Sequence, residues 1–273
     1  MAPTIAIIGA LDKEVRHVYD AIEKGTVAED AGLRMMGGRY HGFDIVATVA
    51  GMGTVNAAAA AQYLISAHHA NAIIFSGIGG GLNPRLHIGD IVIGDTLRYL
   101  DTDTALIAES KPGQEEFHSS DFLCDLAEET LISHGFVSAD LADDQIAVGT
   151  KARERADASP FRQGDTRVDP KRYLRGTIAT GNRFVTGPDM KRAAVDATCA
   201  DCVEMEGAAI AHIAAKNEID CLVLREISDN CDESYDALSG REFDLDEYAR
   251  DASGLVLSII RRLAVKMGIE PRE

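Results

Sequence analysis

Two short segments put carboxylates where an otherwise apolar chain has no ordinary use for them. In VEMEG, Glu204 and Glu206 alternate with Val203 and Met205 and run into the Ala-rich stretch after Gly207. In REISDN, Ser228 and Asp229 follow the apolar run from Cys221 to Leu224. A third carboxylate, Glu14, comes just after IAIIGA. Buried carboxylates want partners, because an ion stripped of water is strongly disfavoured. A structural role is the ordinary alternative for each: a carboxylate at a helix start is stabilised by the helix dipole, and Ser228 or Asp229 could cap the segment that follows. A pair of sugar hydroxyls would satisfy Glu206 equally well.

Two glycine-rich stretches, Gly51-Met52-Gly53 and Gly77-Ile78-Gly79-Gly80-Gly81, match neither GxGxxG nor GxxxxGK[ST]. They read as tight turns that let a small ligand approach the main chain, with Gly79 and Gly80 on a pocket floor. Cys199 and Cys202 form a CxxC pair with no second pair at ligand spacing, and His68 and His69 would point to different sides of a helix end. Neither implies a metal site.

These residues must be held by something, and strand-like and helix-like stretches alternate along most of the chain, the pattern of an α/β layer architecture. Strands are expected over 4–10, 44–49, 72–76, 90–93, 176–180, 202–204 and 221–224. Helices are expected over 13–24, 54–67, 120–133, 188–196, 207–216 and 246–265. Ligands in such sheets collect at the carboxyl ends of strands, where the acidic and glycine-rich segments fall. From about Asp101 to Pro170 the chain becomes richer in Asp, Glu, Ser, Lys and Pro, which reads as an excursion from the core of a single domain spanning 1–273.

Composition narrows the function classes. The 273 residues carry 27 Lys plus Arg against 44 Asp plus Glu, a formal charge of −17. Such a field repels polyanions, so neither nucleic acid nor an anionic membrane surface is an expected partner. With 46% hydrophobic and 26% charged residues the chain is globular and long enough to bury a large core. No window approaches 18 consecutive apolar residues, so no membrane span is expected, and MAPTIAIIG reads as a first strand and not a signal peptide. Five scattered cysteines point to free thiols in a reducing cytoplasm.

Taken together, IAIIGALDKEV, VAGMGTVNAA, IIFSGIGGGLNPRLHIGDIVIGD, TGNRFV, VEMEGAAIAHIA and REISDNCD resemble the purine nucleoside phosphorylase and 5′-methylthioadenosine/S-adenosylhomocysteine nucleosidase superfamily. The motifs occur in the family's order over nearly the whole chain outside 101–170. The resemblance implies a single three-layer α/β domain with a mixed, twisted central sheet flanked by helices, usually a homodimer in the nucleosidase branch. It implies that Glu14 activates the attacking water, that Asp229 protonates the purine at N7, and that Ser228 orients that acid. Glu206 with Met205 resembles a ribose clamp, Phe184 a ring stacked on the base, Val185 a backbone reader of the purine edge, and Arg225 a site arginine near the water and Glu206. Met52 resembles part of the wall around the 5′ substituent. No metal or organic cofactor is implied.

The roles are chemically coherent. Cleaving an N-glycosidic bond needs an acid for the departing base and negative charge for the ribosyl cation, and Asp229, Glu206 and Glu14 supply these. The hexameric bacterial phosphorylases place an arginine and a serine around the glycine-rich stretch, where this chain has Phe75 and Ile78; a phosphate dianion would be poorly held, which favours water. The nucleosidases usually have a serine at the position of Ile78, and a small apolar residue at that of Glu226, so Glu226 is expected to narrow the base pocket or perturb the acid. Cleavage of 5′-thioadenosines is thus the leading expectation. A phosphorylase, a nucleosidase for another purine nucleoside, and a non-catalytic nucleoside-binding protein stay open. Glu204, Tyr235 and Phe243 are candidates for binding or for capping and packing, the last two in a lid after Asp229.

Overall fold

The computed structural model describes residues 2–140, 170–232 and 245–269. Its centre is a parallel set of buried, near-continuous apolar strands, the composition expected when both faces of a sheet are covered. β1 (Thr4–Gly9) lies between β4 (Phe43–Val49) and β5 (Ala72–Gly81), parallel to both. On one side, β3 (Leu33–Tyr40) pairs antiparallel with β4 and β2 (Glu23–Asp30) pairs antiparallel with β3 at the sheet edge. Their two-residue turns, Ala31-Gly32 and His41-Gly42, all have positive φ, which suits the twist of a tight hairpin.

On the other side the sheet curls on itself. β5 pairs in parallel with β11 (Asp220–Asp229), β11 pairs antiparallel with β6 (Ile91–Tyr99), and β6 pairs in parallel with β9 (Arg172–Thr180). β9 then pairs with β10 (Cys202–Glu204), whose Cys202 and Val203 return to Gly81 and Gly80 of β5. This closed ring brings the ends of β5, β10 and β11 together.

Helices cover both faces. Against one face lie α1 (Asp12–Ala21), α4 (Asp121–Ser133) and the last helix, α7 (Leu245–Lys266), burying Val15, Val18, Leu126, Leu131, Ile259 and Ile260 on Ile5, Ile7 and Leu222. Against the other, α2 (Thr54–His68) packs on α6 (Gly207–Asn217) through small residues such as Ala57, Ala61, Ala208 and Ala211. α5 (Gly187–Thr198) begins with Pro188 in its first turn and lies over the β10 end of the ring, where Ala194 packs with Val203. The expected three-layer α/β architecture with a mixed, helix-flanked sheet is present.

Three expectations need correction. β5 runs through Gly81 and β11 through Asp229, so GIGGG and REISD are strand, not loops beyond strand ends. The ladder hydrogen bonds of two buried neighbours outweigh the turn preference of the glycines. α1 ends at Ala21, and the polar segment after it, read as helix to Lys24, opens β2. The described part of the segment read as an excursion, 101–140, joins the core. It forms a short α3 (Thr104–Ala108), then β7 (Phe117–His118) on β6, α4, and β8 (Val137–Ser138) on β9, with Phe117, Leu123 and Leu126 buried. Residues 141–169, and Tyr235 and Phe243, lie outside the described residues.

Candidate active site

Glu14 is the third residue of α1, and its side chain turns back over the helix start. Its Oε2 accepts the backbone N–H groups of Ala10 and Leu11 at 2.6 and 2.9 Å, and its Oε1 accepts that of Ile78 at 3.2 Å. Helix starts leave such N–H groups without partners, so the carboxylate and the backbone satisfy each other. A methyl group at Gly77 would lie 2.5 Å from Glu14 Oε1, so β5 must be bare there. From the far side, the buried Ser253 of α7 donates to the Glu14 carbonyl at 3.0 Å. Burial raises the Glu14 pKa against the opposing pull of Arg225 and the three N–H groups, leaving a carboxylate of increased basicity.

Asp229 ends β11. Ser228 donates its hydroxyl to Asp229 Oδ2 at 2.8 Å, and the N–H of Cys231, a residue in the left-handed region at φ 56°, reaches Oδ1 at 2.8 Å. Both oxygens are thereby oriented by neighbours along the chain. Lys191 of α5 and the Gly187 N–H hold the Asn230 and Cys231 carbonyls at 2.7 and 2.9 Å, which joins this end to the segment carrying Phe184 and Val185.

Glu206 precedes α6 but does not cap it. Its Oε1 accepts the N–H of Gly53 at 2.7 Å, and its Oε2 lies 3.7 Å from Arg225 Nη2. Gly53, at φ 94°, can turn its N–H this way because it has no side chain. The capping falls to Glu204, whose Oε2 accepts the N–H groups of Glu206 and Gly207 at 3.0 and 2.7 Å and is also held by Arg225. Burial first, and then the charge of Glu204, push the Glu206 pKa up to about 7.

These groups surround one cavity of about 430 Å³. Glu14, Glu204, Glu206 and Asp229 line it together with Met52, Ile78, Gly79, Gly80, Phe184, Val185, Met205 and Ser228. Ten of its residue positions come from segments more than 100 residues from Glu14, which only the closed ring can bring back.

A family model described as the phosphorylase superfamily matches residues 4–261. The chain belongs to that superfamily. It is 31% identical over 246 residues to the 5′-methylthioadenosine/S-adenosylhomocysteine nucleosidase of Shewanella sediminis, covering 89% of this chain and 91% of that protein. It is 26% identical over 267 residues to the aminodeoxyfutalosine nucleosidase of Campylobacter jejuni, covering 96% and 99%. Among solved structures it superposes on a 5′-methylthioadenosine/S-adenosylhomocysteine nucleosidase from Colwellia psychrerythraea in complex with adenine, with a TM-score of 0.75, 26% identity and 96% of each chain covered.

Against that superfamily frame, two predicted residues sit differently from expectation. Arg225 does not line the cavity. It is buried behind the wall, 4.1 Å from the centre of the Phe75 ring, with Nη1 on the Leu224 carbonyl at 2.9 Å and its other nitrogens on Glu204. Its charge acts on the cavity through the wall carboxylates Glu204, Glu206 and Glu14. Glu226 does not narrow the base pocket, because neighbouring residues on a strand face opposite ways. Its carboxylate is buried on the other side of β11, 3.6 Å from Lys171 Nζ. Phase along the strand decides this, and the REISDN string alone leaves that phase open.

Five lining residues escaped the sequence reading: Ala10, Leu11, Arg183, Val203 and Cys231. All five lie inside IAIIGALDKEV, TGNRFV, VEMEGAAIAHIA or REISDNCD, so membership of those segments was the available signal. The CxxC pair divides, with Cys199 exposed and Cys202 buried, and all five cysteines are free.

Proposed function

We propose that this chain is a purine nucleosidase that hydrolyses the N-glycosidic bond of 5′-thio-substituted adenosines, of the methylthioadenosine and S-adenosylhomocysteine type, to adenine and the thioribose. The observation that carries the reading is the convergence of Glu14, Glu206 and Asp229 on one cavity beside Phe184 and Val185. The purine lies against Phe184 with N7 toward Asp229, which Ser228 and the Cys231 N–H aim. Glu206 accepts hydrogen bonds from the ribose hydroxyls, with Met205 beneath the sugar. As the bond to the base lengthens, positive charge grows on the ribose and the nearby carboxylates stabilise it. Glu14, made more basic by burial, takes a proton from the water that attacks the anomeric carbon.

Water suits this cavity better than phosphate. Four carboxylates line it, and Arg183 is the one basic residue among the described lining. Phe75 is buried in the core, Ile78 offers an apolar side chain, and the Arg225 charge is taken up by Glu204. A phosphate dianion would meet repulsion without the forked donors it needs. The nucleosidase names of the Shewanella sediminis and Colwellia psychrerythraea relatives agree with this choice.

We further infer a cytoplasmic homodimer whose thioribose product enters methionine salvage. Met52 at the cavity and the nearby Val55 are 57% and 79% exposed, apolar surface that a second copy would cover. No described helix is long and apolar enough to cross a membrane. A monomeric mass at micromolar concentration would remove the dimer.

The deciding experiment measures adenine release from methylthioadenosine, S-adenosylhomocysteine, adenosine and inosine, with and without phosphate, using phosphate-free protein. Phosphate-independent cleavage of the thioadenosines is expected. A strict phosphate requirement would make the chain a phosphorylase, and binding of adenine without any turnover would make it a binding protein. Aminodeoxyfutalosine belongs in the panel, given the name of the Campylobacter jejuni relative.

A further inference from the structure

Thr180 ends β9 outside the cavity wall and is completely buried. Its hydroxyl oxygen accepts the N–H of Ala208, in the first turn of α6, at 2.8 Å. The single proton of the hydroxyl is directed at Glu204 Oε1. On the other carboxylate oxygen, Glu204 Oε2 receives the N–H groups of Glu206 and Gly207 and the Nε of Arg225, at 3.0, 2.7 and 3.1 Å. These hydrogen-bond partners of Glu204 are all donors, and together they hold its carboxylate in one orientation. Tyr99 of β6 and Cys202 of β10 also feel the Glu204 charge. Burial, then that charge, pushes Tyr99 up to about 12 and Cys202 well up, which keeps both neutral.

Arg225, held by Glu204, by the Leu224 carbonyl and by the Phe75 ring, has Nη2 left 3.7 Å from Glu206 Oε2. A line of contacts therefore runs from Thr180, which does not itself line the cavity, through the wall residue Glu204 and the buried Arg225 to Glu206. We propose that Thr180 is a positioning residue for glycoside cleavage: its hydroxyl, oriented by the Ala208 N–H, holds the Glu204 carboxylate in place and so fixes Arg225 against Glu206. The inference rests on the nucleosidase reading. It adds to that reading a residue that acts only through its neighbours.

The test compares the parent protein with Thr180→Val, Thr180→Ser, Glu204→Gln and the Thr180→Val/Glu204→Gln double variant. Each is assayed for adenine release from methylthioadenosine between about pH 5 and pH 9 and for thermal unfolding. Thr180→Val keeps the shape and removes the donor. It is expected to lower kcat by roughly 10- to 100-fold with KM within about threefold, because the loss falls on the transition state. Loosening Glu204, and Arg225 with it, weakens the positive charge that favours ionised Glu206, so the acid limb of the rate profile moves to higher pH. Thr180→Ser is expected to recover kcat to within about threefold of the parent, and the double variant to be no more than about threefold slower than the slower single variant.

Parental kcat and an unmoved acid limb in Thr180→Val would overturn the proposal. So would a serine variant as slow as the valine one, or losses that multiply in the double variant. If Thr180→Val does not fold, Thr180→Ala takes its place in the same comparisons. A parent protein that releases no adenine from any thioadenosine overturns the nucleosidase reading alone. The Thr180 and Glu204 coupling is then read from the unfolding temperatures, where additive shifts would overturn it.

Discussion

The floor of the cavity and its rim are held by different means. On the floor, Glu14 is gripped by three backbone N–H groups, Asp229 by one with the Ser228 hydroxyl, and Glu206 by the N–H of Gly53. On the rim, Met52 and Phe184 are 57% and 39% exposed. The donors sit in β5 (Ile78) or close to the ends of strands and helices (Ala10, Leu11, Gly53, Cys231), so moving a floor carboxylate breaks hydrogen bonds to the backbone. The rim can change a side chain at little structural cost. Chemistry is expected to depend on the first and substrate preference on the second.

The sharpest way to break that comparison is Asp229→Asn, which preserves shape and removes the acid. Adenine release should fall by roughly 10² to 10⁴ in kcat, the usual weight of a general acid; an unchanged rate would sink the mechanism. Gly77→Ala attacks the floor through the backbone alone. The new methyl would lie 2.5 Å from Glu14 Oε1 and 3.0 Å from its Cδ. Displacing the carboxylate should cost up to about 100-fold in kcat, and a crystal structure of the variant should show Glu14 moved.

Stability should carry the mark of Glu206. Its folded pKa, near 7, stands above the 4.5 of an ordinary glutamate, so the folded state binds the proton more tightly. The stability this provides is complete below about pH 4.5 and is lost as the pH rises through 7. Thermal unfolding between pH 5 and pH 8 should therefore show Glu206→Gln gaining on the parent as the pH rises. Parallel curves would mean that Glu206 is not strained by its surroundings. The smallest effect belongs to the rim. Met52→Ala should raise KM for methylthioadenosine about two- to fivefold and leave kcat within about twofold. A large loss in kcat there would erase the distinction between floor and rim.

Much of the fold was legible because its signals are local. Buried apolar runs marked β1, β4 and β10, and the Ala-rich period marked α2 and α6. The hairpin of β2 and β3 was missed, because EKGTVAED and LRMMGGRY are polar or glycine-broken and become strands only through pairing, LRMMGGRY to β4 and EKGTVAED to LRMMGGRY. The ends of β5 and β11 were cut short for a related reason, since glycines and polar residues continue a ladder when both neighbours supply partners.

At the site, residue types drew attention to Glu14, Glu206 and Asp229 but left a structural role open for each, and the resemblance of their motifs to the superfamily supplied their functional roles. Which way each one faces was not decided at that level. Glu204 and Glu206 lie two residues apart, yet one caps α6 and clasps Arg225 while the other turns to Gly53. Arg225 and Glu226 are adjacent, yet they face opposite sides of β11. Spacing along a chain sets what can be neighbours within one element. Closure of β5, β11, β6, β9 and β10 into a ring decided which elements meet, and with that which carboxylate finds a backbone donor, an arginine or an open cavity.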